Sequence, residues 1–198
     1  MELLTESGFV QKSDRSGRMN LYDSRGNRVA FSLNTNAGNS TRNAQAKMIV
    51  SDLSSLGIDV EFSAIEFGTL VEKVTASFDY DAVLLSLSHD DVDPASGMNT
   101  WPSNGSLHFW WPSQKTPSTT WEKRIDELMF LQFSTFDQKK RKEYFDEVQR
   151  IVTEEQPIIF TVCQNVFVCI NRNVKNFRPA MAKHRTLWNA DELYRDAQ

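Results

Sequence analysis

Residues 88–111 contain the densest group of side chains that can do chemistry. Three carboxylates, Asp90, Asp91 and Asp93, lie close together in this stretch. Carboxylates at this spacing can work as an acid/base pair, ligate Ca²⁺, or accept a cationic group of a ligand. Asp93 precedes Pro94, so a solvated turn is a fourth interpretation. A calcium loop is disfavoured, because the glycine and the distal glutamate of such a loop are missing.

Aromatic residues crowd the same stretch and the segment that follows it. They are Trp101, Phe109, Trp110, Trp111 and Trp121. Two interpretations stay open: the rings form a small local core under a long loop, or they form a binding wall with rigid faces for cations or sugar rings. A loop this long inside a compact domain is usually functional or disordered, and its tryptophans argue against disorder.

Other catalytic and metal-binding patterns are absent from the sequence. It contains no G-x-x-x-x-G-K, G-x-G-x-x-G or G-x-S-x-G motif. The histidines, His89, His108 and His184, are too far apart for metal-ligand spacing. The net charge of −4 argues against a nucleic-acid partner. We therefore expect a protein that binds without catalysis, with neither metal nor cofactor.

Cys163 and Cys169 are the only two cysteines. On one straight strand, six residues at about 3.3 Å each separate them by roughly 20 Å, whereas a disulfide needs Cα atoms within about 7 Å. They can pair only if the chain turns at Gln164 and Asn165. We expect two buried free thiols, because free cysteine is among the most buried residue types.

Strands and helices alternate ahead of the loop. The pattern predicts a helix end and loop at 1–27, followed by strands at 29–33, 58–62 and 80–87. The helix between the first two strands is capped by Asn39, Ser40 or Thr41 and ends at Gly57. The helix between the last two strands has an apolar face formed by Phe67, Leu70, Val71, Val74 and Phe78. The last strand is a nearly continuous apolar run, typical of a central strand covered on both faces. This order implies parallel pairing.

Two amphipathic helices and two strands follow the loop. Thr119 and Glu122 form a predicted capping box, and Asp137 is the predicted cap of the second helix. Apolar runs predict strands at 157–162 and 166–170. In open α/β sheets, ligands bind at the carboxyl ends of strands, so the loop after the strand at 80–87 is the candidate site.

Short motifs occur in a characteristic order along nearly the whole chain. They lie at residues 31–36, 42–50, 53–60, 78–82, 93–94, 101–105, 125–128, 141–149, 155–157 and 188–189. Each motif is weak alone, but the ordered set resembles the C-terminal lobe of periplasmic solute-binding proteins of family 5, the oligopeptide, dipeptide and nickel type. Residues 93–94 and 101–105 resemble the ligand loop of that family.

The resemblance implies an α/β lobe of the periplasmic-binding-protein type II fold, with a mixed, mostly parallel central sheet flanked by helices. It also implies that the chain is a fragment of a larger two-lobe protein. We expect residues 1–27 to lead in from the missing N-terminal lobe, residues 28–170 to form the ligand-binding lobe, and residues 171–198 to return to the other lobe.

The resemblance further implies a function in transport. We expect a periplasmic or extracellular protein, soluble or lipid-anchored, that captures a small solute by clamshell closure and delivers it to an ABC importer permease. A peptide is the first candidate ligand, and an oligosaccharide is the alternative within the same family. A carbohydrate hydrolase that uses Asp90 and Asp93, and a pure interaction module, are hypotheses from other classes.

In peptide-binding members of the family, an aspartate shortly before the loop proline pairs with the α-amino group of the peptide. By position this role falls on Asp90, with Asp91 as second choice. The full set of expected ligand-binding residues is Asp90, Asp91, Asp93, Trp101, Ser103, Asn104, His108, Phe109, Trp110 and Trp111.

Overall fold

The computed structural model describes residues 1–87, 93–111, 114–163, 165–180 and 186–195. The chain forms two compact units, Met1–Leu87 and Ser88–Gln198. The helices and strands are α1 (Glu2–Glu6), β1 (Val10–Ser13), β2 (Met19–Tyr22), β3 (Ala30–Asn36), α2 (Ser40–Ser55), β4 (Asp59–Ile65), α3 (Phe67–Glu72), β5 (Ala82–Val83), α4 (Thr120–Ser134), α5 (Gln138–Glu155), β6 (Val174–Lys175) and β7 (Tyr194–Arg195).

A parallel sheet forms the centre of the first unit. Its strand order is β4-β3-β5, and β3 pairs in parallel with both neighbours. Alternate residues of β3 and β4 pack against α2, because successive side chains of a strand point to opposite faces. The buried side chains of this core are Leu21, Leu33, Ala46, Ile58 and Val60. The predicted parallel α/β arrangement is confirmed for this unit.

Helix α2 begins and ends where the sequence predicts. The side chain of Asn39 accepts a hydrogen bond from the backbone N–H of Arg42 at 2.9 Å, which satisfies a donor that the helix leaves free. Gly57 follows the last turn with φ of 81°, in the left-handed region that favours glycine. The backbone N–H of Leu21 donates to the carbonyl of Gly57 at 2.7 Å, so this turn also contacts the N-terminal segment.

The N-terminal segment corrects one prediction. A short helix does lie at its start, but strands β1 and β2 then pair as an antiparallel hairpin where residues 1–27 were predicted to continue as a loop. Asp14 and Asp23 build similar turns: each carboxylate accepts backbone N–H bonds from the residues two and four positions later. Polar turns with two strands of four residues give little apolar alternation, so periodicity does not detect this hairpin.

The strand predicted at 80–87 is shorter and placed differently. Only Ala82 and Val83 form a strand, β5. This strand lies at one edge of the sheet described here and not at its centre, which β3 occupies. The preceding helix also changes character, because α3 ends at Glu72 and continues as a π-helical turn, Lys73–Ser77. Phe78 then takes a left-handed conformation with φ of 54°, which delays the start of the strand.

The apolar face predicted for that helix is only partly correct. Leu70 and Val74 are buried, as expected. Phe67, Val71 and Phe78 are exposed. Phe67 and Val71 lie in α3 itself, whereas Phe78 follows the wider π-helical turn and falls out of the α-helical register.

Helices α4 and α5 form the base of the second unit. The capping box of Thr119 and Glu122 and the Asp137 cap are confirmed. Their shared core consists of Ile125, Leu128, Met129, Val148, Ile151 and Val152, which recur at helical spacing. Within the described ranges, no helix is long and apolar enough to cross a bilayer.

The strands predicted at 157–162 and 166–170 are wrong for the residues that the structure describes there. A strand needs a partner for its backbone groups, and no pairing involves the described residues of these two segments. The side chains of Ile159, Phe160, Val162, Val166 and Phe167 are exposed. Cys163 and Cys169 are free thiols, as expected, but both are exposed, so the prediction that they are buried is wrong.

The last described segment is held by short contacts of its own. β6 and β7 pair antiparallel, and the side-chain amide of Asn189 donates to the carbonyl of Asn176 at 2.8 Å. The guanidinium of Arg178 lies 5.3 Å from the ring centroid of Trp188. The boundaries predicted at residues 27/28 and 170/171 stay a prediction.

We expect Gly57→Ala to destabilise the chain more than Gly26→Ala. Both glycines have φ above 80°, but a Cβ on Gly57 would lie 2.9 Å from the backbone nitrogen of Leu21, whereas a Cβ on Gly26 meets nothing within 4 Å. Left-handed strain alone costs about 1–2 kcal/mol, and a steric clash adds roughly 1–3 kcal/mol. Urea unfolding measures both variants, and equal losses of unfolding free energy would contradict the close approach.

Candidate functional site

Asp93 opens the described part of the candidate loop. Its side chain accepts the backbone N–H of Ala95 at 2.8 Å and caps a 3₁₀ helix, Pro94–Asn99. The guanidinium of Arg141, on α5, donates to the same carboxylate at 2.5 Å. The Ala95 hydrogen bond and the Arg141 cation hold the pKa of Asp93 below its usual value, so this carboxylate stays ionised.

Arg141 ties this end of the loop to both base helices. Besides Asp93, its guanidinium donates to the backbone carbonyl of Gln132 at 3.0 Å and to the side-chain oxygen of Gln132 at 2.8 Å. Gln132 lies on α4 and is fully buried. The start of the loop is therefore fixed to α4 and α5 by a single side chain that carries a permanent charge.

Ser103 is the second attachment point. Its backbone N–H and its hydroxyl both donate to the carboxylate of Asp126 on α4, at 2.7 and 2.5 Å. The loop then folds closely onto itself, since the N–H of Leu107 donates to the carbonyl of Asn99 at 2.8 Å. A Cβ on Gly105 would lie 2.3 Å from that same carbonyl oxygen, so the backbone approach requires glycine.

His108 is completely buried inside the loop. Its Nδ1 lies 3.0 Å from the carbonyl oxygen of Thr100, and because a carbonyl only accepts, Nδ1 is the donor. Its Nε2 lies 3.3 Å from Oε1 of Glu122 and 3.3 Å from the side-chain nitrogen of Gln114. The imidazole therefore bridges the middle of the loop to the first turn of α4.

The carboxylate of Glu122 accepts hydrogen bonds from Trp110 and from the residues that directly precede α4. Oε1 accepts from Gln114 at 2.7 Å and from the indole N–H of Trp110 at 3.3 Å, and Oε2 accepts from the N–H and side-chain hydroxyl groups of Ser118 and Thr119 at 2.7 to 3.0 Å. Glu122 is only 2% exposed. Burial alone raises its pKa, but the hydrogen bonds outweigh burial and lower the pKa to about 2.

The aromatic residues divide between the two interpretations. Trp101 and Trp121 pack against the core of α4 and α5, as a local core requires. The ring of Trp110 lies 6.3 Å from the ring of Trp101 and 3.8 Å from the imidazole of His108. Trp111 differs from these, because 58% of its surface is exposed. It is the aromatic ring of this cluster that is most open to a ligand.

The other expected ligand-binding residues occupy distinct positions. Asn104 is exposed and Phe109 is half-buried, whereas Ser103 and His108 are buried and hydrogen-bonded within the loop. Asp90 and Asp91, like His89 and His184, lie outside the described residues. Among the described residues, no group of three His, Cys, Asp or Glu side chains could hold a metal ion.

Sequence reasoning missed the residues that hold the loop in place. They are Gln114, Asp126 and Arg141, together with the second role of Glu122. The capping box identified Glu122 as a helix-start residue, but its contacts with His108, Trp110 and Gln114 span 8 to 14 positions in sequence. A local pattern of three residues cannot reveal such contacts.

Comparison with known proteins now identifies the family. Residues 1–108 match the model of the bacterial extracellular solute-binding proteins, family 5 middle region. This chain belongs to that family. The α/β fold of periplasmic-binding-protein type II, expected from the sequence, is also confirmed, because solved structures of that fold align with TM-scores near 0.6.

Three relatives illustrate the match. A probable ABC transporter-binding protein of Deinococcus radiodurans is 30% identical over 83% of this chain and 29% of its own length. The oligopeptide-binding protein AppA of Bacillus subtilis is 24% identical over 98% of this chain and 33% of its own length. The structure of AppA in complex with a nonapeptide has a TM-score of 0.59 at 20% identity over 99% of this chain and 36% of that one.

The third relative is the periplasmic binding protein MelB of Agrobacterium fabrum, solved in complex with stachyose. It aligns with a TM-score of 0.66 at 17% identity, over 79% of this chain and 24% of that chain. At this identity the structural likeness shows the fold alone. The chain spans about a third of the length of the curated relatives that it matches first.

We expect acid to remove the contribution of Glu122 to stability. Because its pKa falls from 4.5 to about 2 on folding, the contribution is complete above about pH 4.5 and is lost as the pH falls towards 2. The lost free energy is on the order of 3 kcal/mol. The unfolding free energy of Glu122→Gln, which cannot titrate here, should therefore approach that of the wild type as the pH falls.

Urea unfolding at pH 7, 4.5 and 2.5 measures this difference. Glu127→Gln is the matched control, since Glu127 lies on the same helix but is half exposed and paired only loosely with Arg124, at 3.4 Å. If the difference in unfolding free energy between wild type and Glu122→Gln stays constant with pH, folding does not lower the pKa of Glu122.

Proposed function

We propose that this chain is the ligand-binding lobe of an extracytoplasmic solute-binding protein that captures a peptide for an ABC importer. The single observation that carries the proposal concerns the described part of the loop, residues 93–111. This segment is hydrogen-bonded to the base helices through Asp93 and Ser103, while the ring of Trp111 stays exposed. Membership of the solute-binding family, with relatives named for oligopeptide and dipeptide binding, supports a binding role.

Binding without reaction agrees with the electrostatics of the loop. A glycosidase needs one carboxylic acid with a raised pKa. The pKa values of Asp93 and Glu122 are both lowered, the first chiefly by the Ala95 N–H and Arg141, the second by hydrogen bonds that outweigh its burial. The described carboxylates of this loop are therefore poor candidates for a general acid, which counts against the hydrolase hypothesis.

A peptide ligand assigns a role to Asp90. We propose that its carboxylate accepts the α-amino group of the peptide, and that Trp111 covers the adjacent part of the ligand. A charge-assisted hydrogen bond of this kind contributes about 1.5–3 kcal/mol, whereas micromolar affinity needs about 8 kcal/mol. The remainder is supplied by closure of a second lobe over the ligand, which excludes water from the cleft.

An oligosaccharide is the second candidate ligand. The exposed ring of Trp111 can stack on a sugar as well as on a peptide side chain. MelB, which has a similar fold, was solved with the oligosaccharide stachyose, and this is why an oligosaccharide is tested beside a peptide. Trialanine and stachyose are therefore the two probes that separate the ligand classes in calorimetric titration of the complete gene product.

We expect Asp90→Asn to weaken binding of trialanine to the complete gene product by roughly 10- to 100-fold, because the charge-assisted bond to the α-amino group is lost. N-acetyl-trialanine lacks that amino group, so the wild type should bind it more weakly than trialanine. Its affinity should be the same for the wild type and for Asp90→Asn. Asp91→Asn tests the second choice: if Asp91 holds the α-amino group instead, this variant and not Asp90→Asn loses affinity for the free peptide. A loss that is the same for free and acetylated peptide would contradict the assignment of Asp90.

We expect the 198-residue chain, expressed by itself, to bind trialanine with a dissociation constant above about 1 µM, since one lobe supplies too few contacts. The complete gene product, titrated in parallel, should bind more tightly. Submicromolar binding by the chain alone would refute the need for a second lobe.

A further inference from the structure

We propose that Glu122 is a positioning residue for ligand recognition: its carboxylate fixes the end of the loop so that Trp111 is presented to the ligand. This inference rests on the proposed function, in which Trp111 contacts the ligand. Glu122 itself is buried, and its carboxylate oxygens are occupied by hydrogen bonds within the protein. It acts through the residues that it holds.

Hydrogen bonds occupy both carboxylate oxygens of Glu122. Oε2 accepts four hydrogen bonds from Ser118 and Thr119, which fix the carboxylate at the start of α4. Oε1 is thereby directed towards the loop, where it meets Trp110, Gln114 and His108. A capping glutamate needs to bond only the cap residue, so the contacts of Oε1 exceed what helix capping requires.

A short path of contacts leads from Glu122 to Trp111. The indole N–H of Trp110 donates to Oε1, which fixes the residue directly before Trp111. The backbone N–H of Trp111 donates to the carbonyl of His108 at 3.1 Å. His108 is in turn held by the carbonyl of Thr100 and by the side-chain amide of Gln114. The same amide also donates to Oε1 of Glu122. The backbone of Trp111 is thus constrained through both of these neighbours, while its ring stays exposed.

The hydrogen bonds at position 122 require a carboxylate. Donors surround both oxygens of Glu122, and a carboxylate is a pure acceptor. In Glu122→Gln, the new amide NH₂ faces donors on whichever side it takes. Either the contacts with Ser118 and Thr119 or the contacts with Trp110 and Gln114 are broken. The variant keeps the size of the side chain, so it tests the acceptor and not the packing.

Two measurements on the complete gene product test the proposal. The first is fluorine NMR of protein labelled with 5-fluorotryptophan, with signals assigned by single Trp→Phe variants. In Glu122→Gln we expect the signals of Trp110 and Trp111 to shift or broaden, whereas that of Trp188 stays in place. The second is the affinity for trialanine, which should fall about tenfold if the binding-competent share of the loop falls to a tenth.

Glu127→Gln, on the exposed side of α4, is the matched control and should change neither measurement. Unchanged affinity in a folded Glu122→Gln variant overturns the proposal. So does a lower affinity with unmoved Trp110 and Trp111 signals, because Glu122 would then act by another route. If Glu122→Gln does not fold, Gln114→Ala removes the shortest bond to Oε1, 2.7 Å, and should give the same two changes to a smaller extent.

Failure of the proposed function gives a different result. In that case the wild type binds neither trialanine nor stachyose, whereas the fluorine spectra still report whether Glu122 fixes the two tryptophans. Unmoved signals then overturn the positioning role, and shifted signals support it independently of the ligand class.

Discussion

A buried carboxylate with no hydrogen-bond donors around it is unfavourable by several kcal/mol, and this constraint shapes the second unit of the chain. Glu122 is ionised and almost wholly buried, so the loop must bring donors to it. Trp110, Gln114, Ser118 and Thr119 supply them. The irregular path of the loop is therefore set by the geometry around one charged group, in a region with few regular backbone hydrogen bonds.

Charged side chains hold the loop at two further positions. Asp126 accepts hydrogen bonds from Ser103, and Arg141 donates to Asp93. All three holding residues project from the helix pair α4 and α5, which share one apolar core. A long loop attached at three points to packed helices loses less conformational entropy when a ligand binds, because part of that entropy was already lost on folding. Such preorganisation favours affinity at a binding surface.

Prediction from the sequence worked where structure is determined locally. Asn39, Thr119 and Asp137 cap helices by contacts within four residues, and the apolar faces of α4 and α5 follow helical periodicity. Prediction failed where structure depends on a distant partner. Residues 157–162 have the composition of a strand, but a strand also needs a neighbour with which to pair. The placement of the candidate site in residues 88–111 stays a prediction. The holding residues Asp126 and Arg141 were missed because their contacts cross 23 and 48 positions.

The exposed apolar side chains between Ile159 and Ile170 affect how the chain behaves in solution. Segments with high β propensity, few charges and free backbone groups are templates for intermolecular pairing. Here they flank two exposed thiols, so molecules that associate through them also bring cysteines of different copies together. A contact between copies at this segment would therefore be sensitive both to protein concentration and to redox conditions.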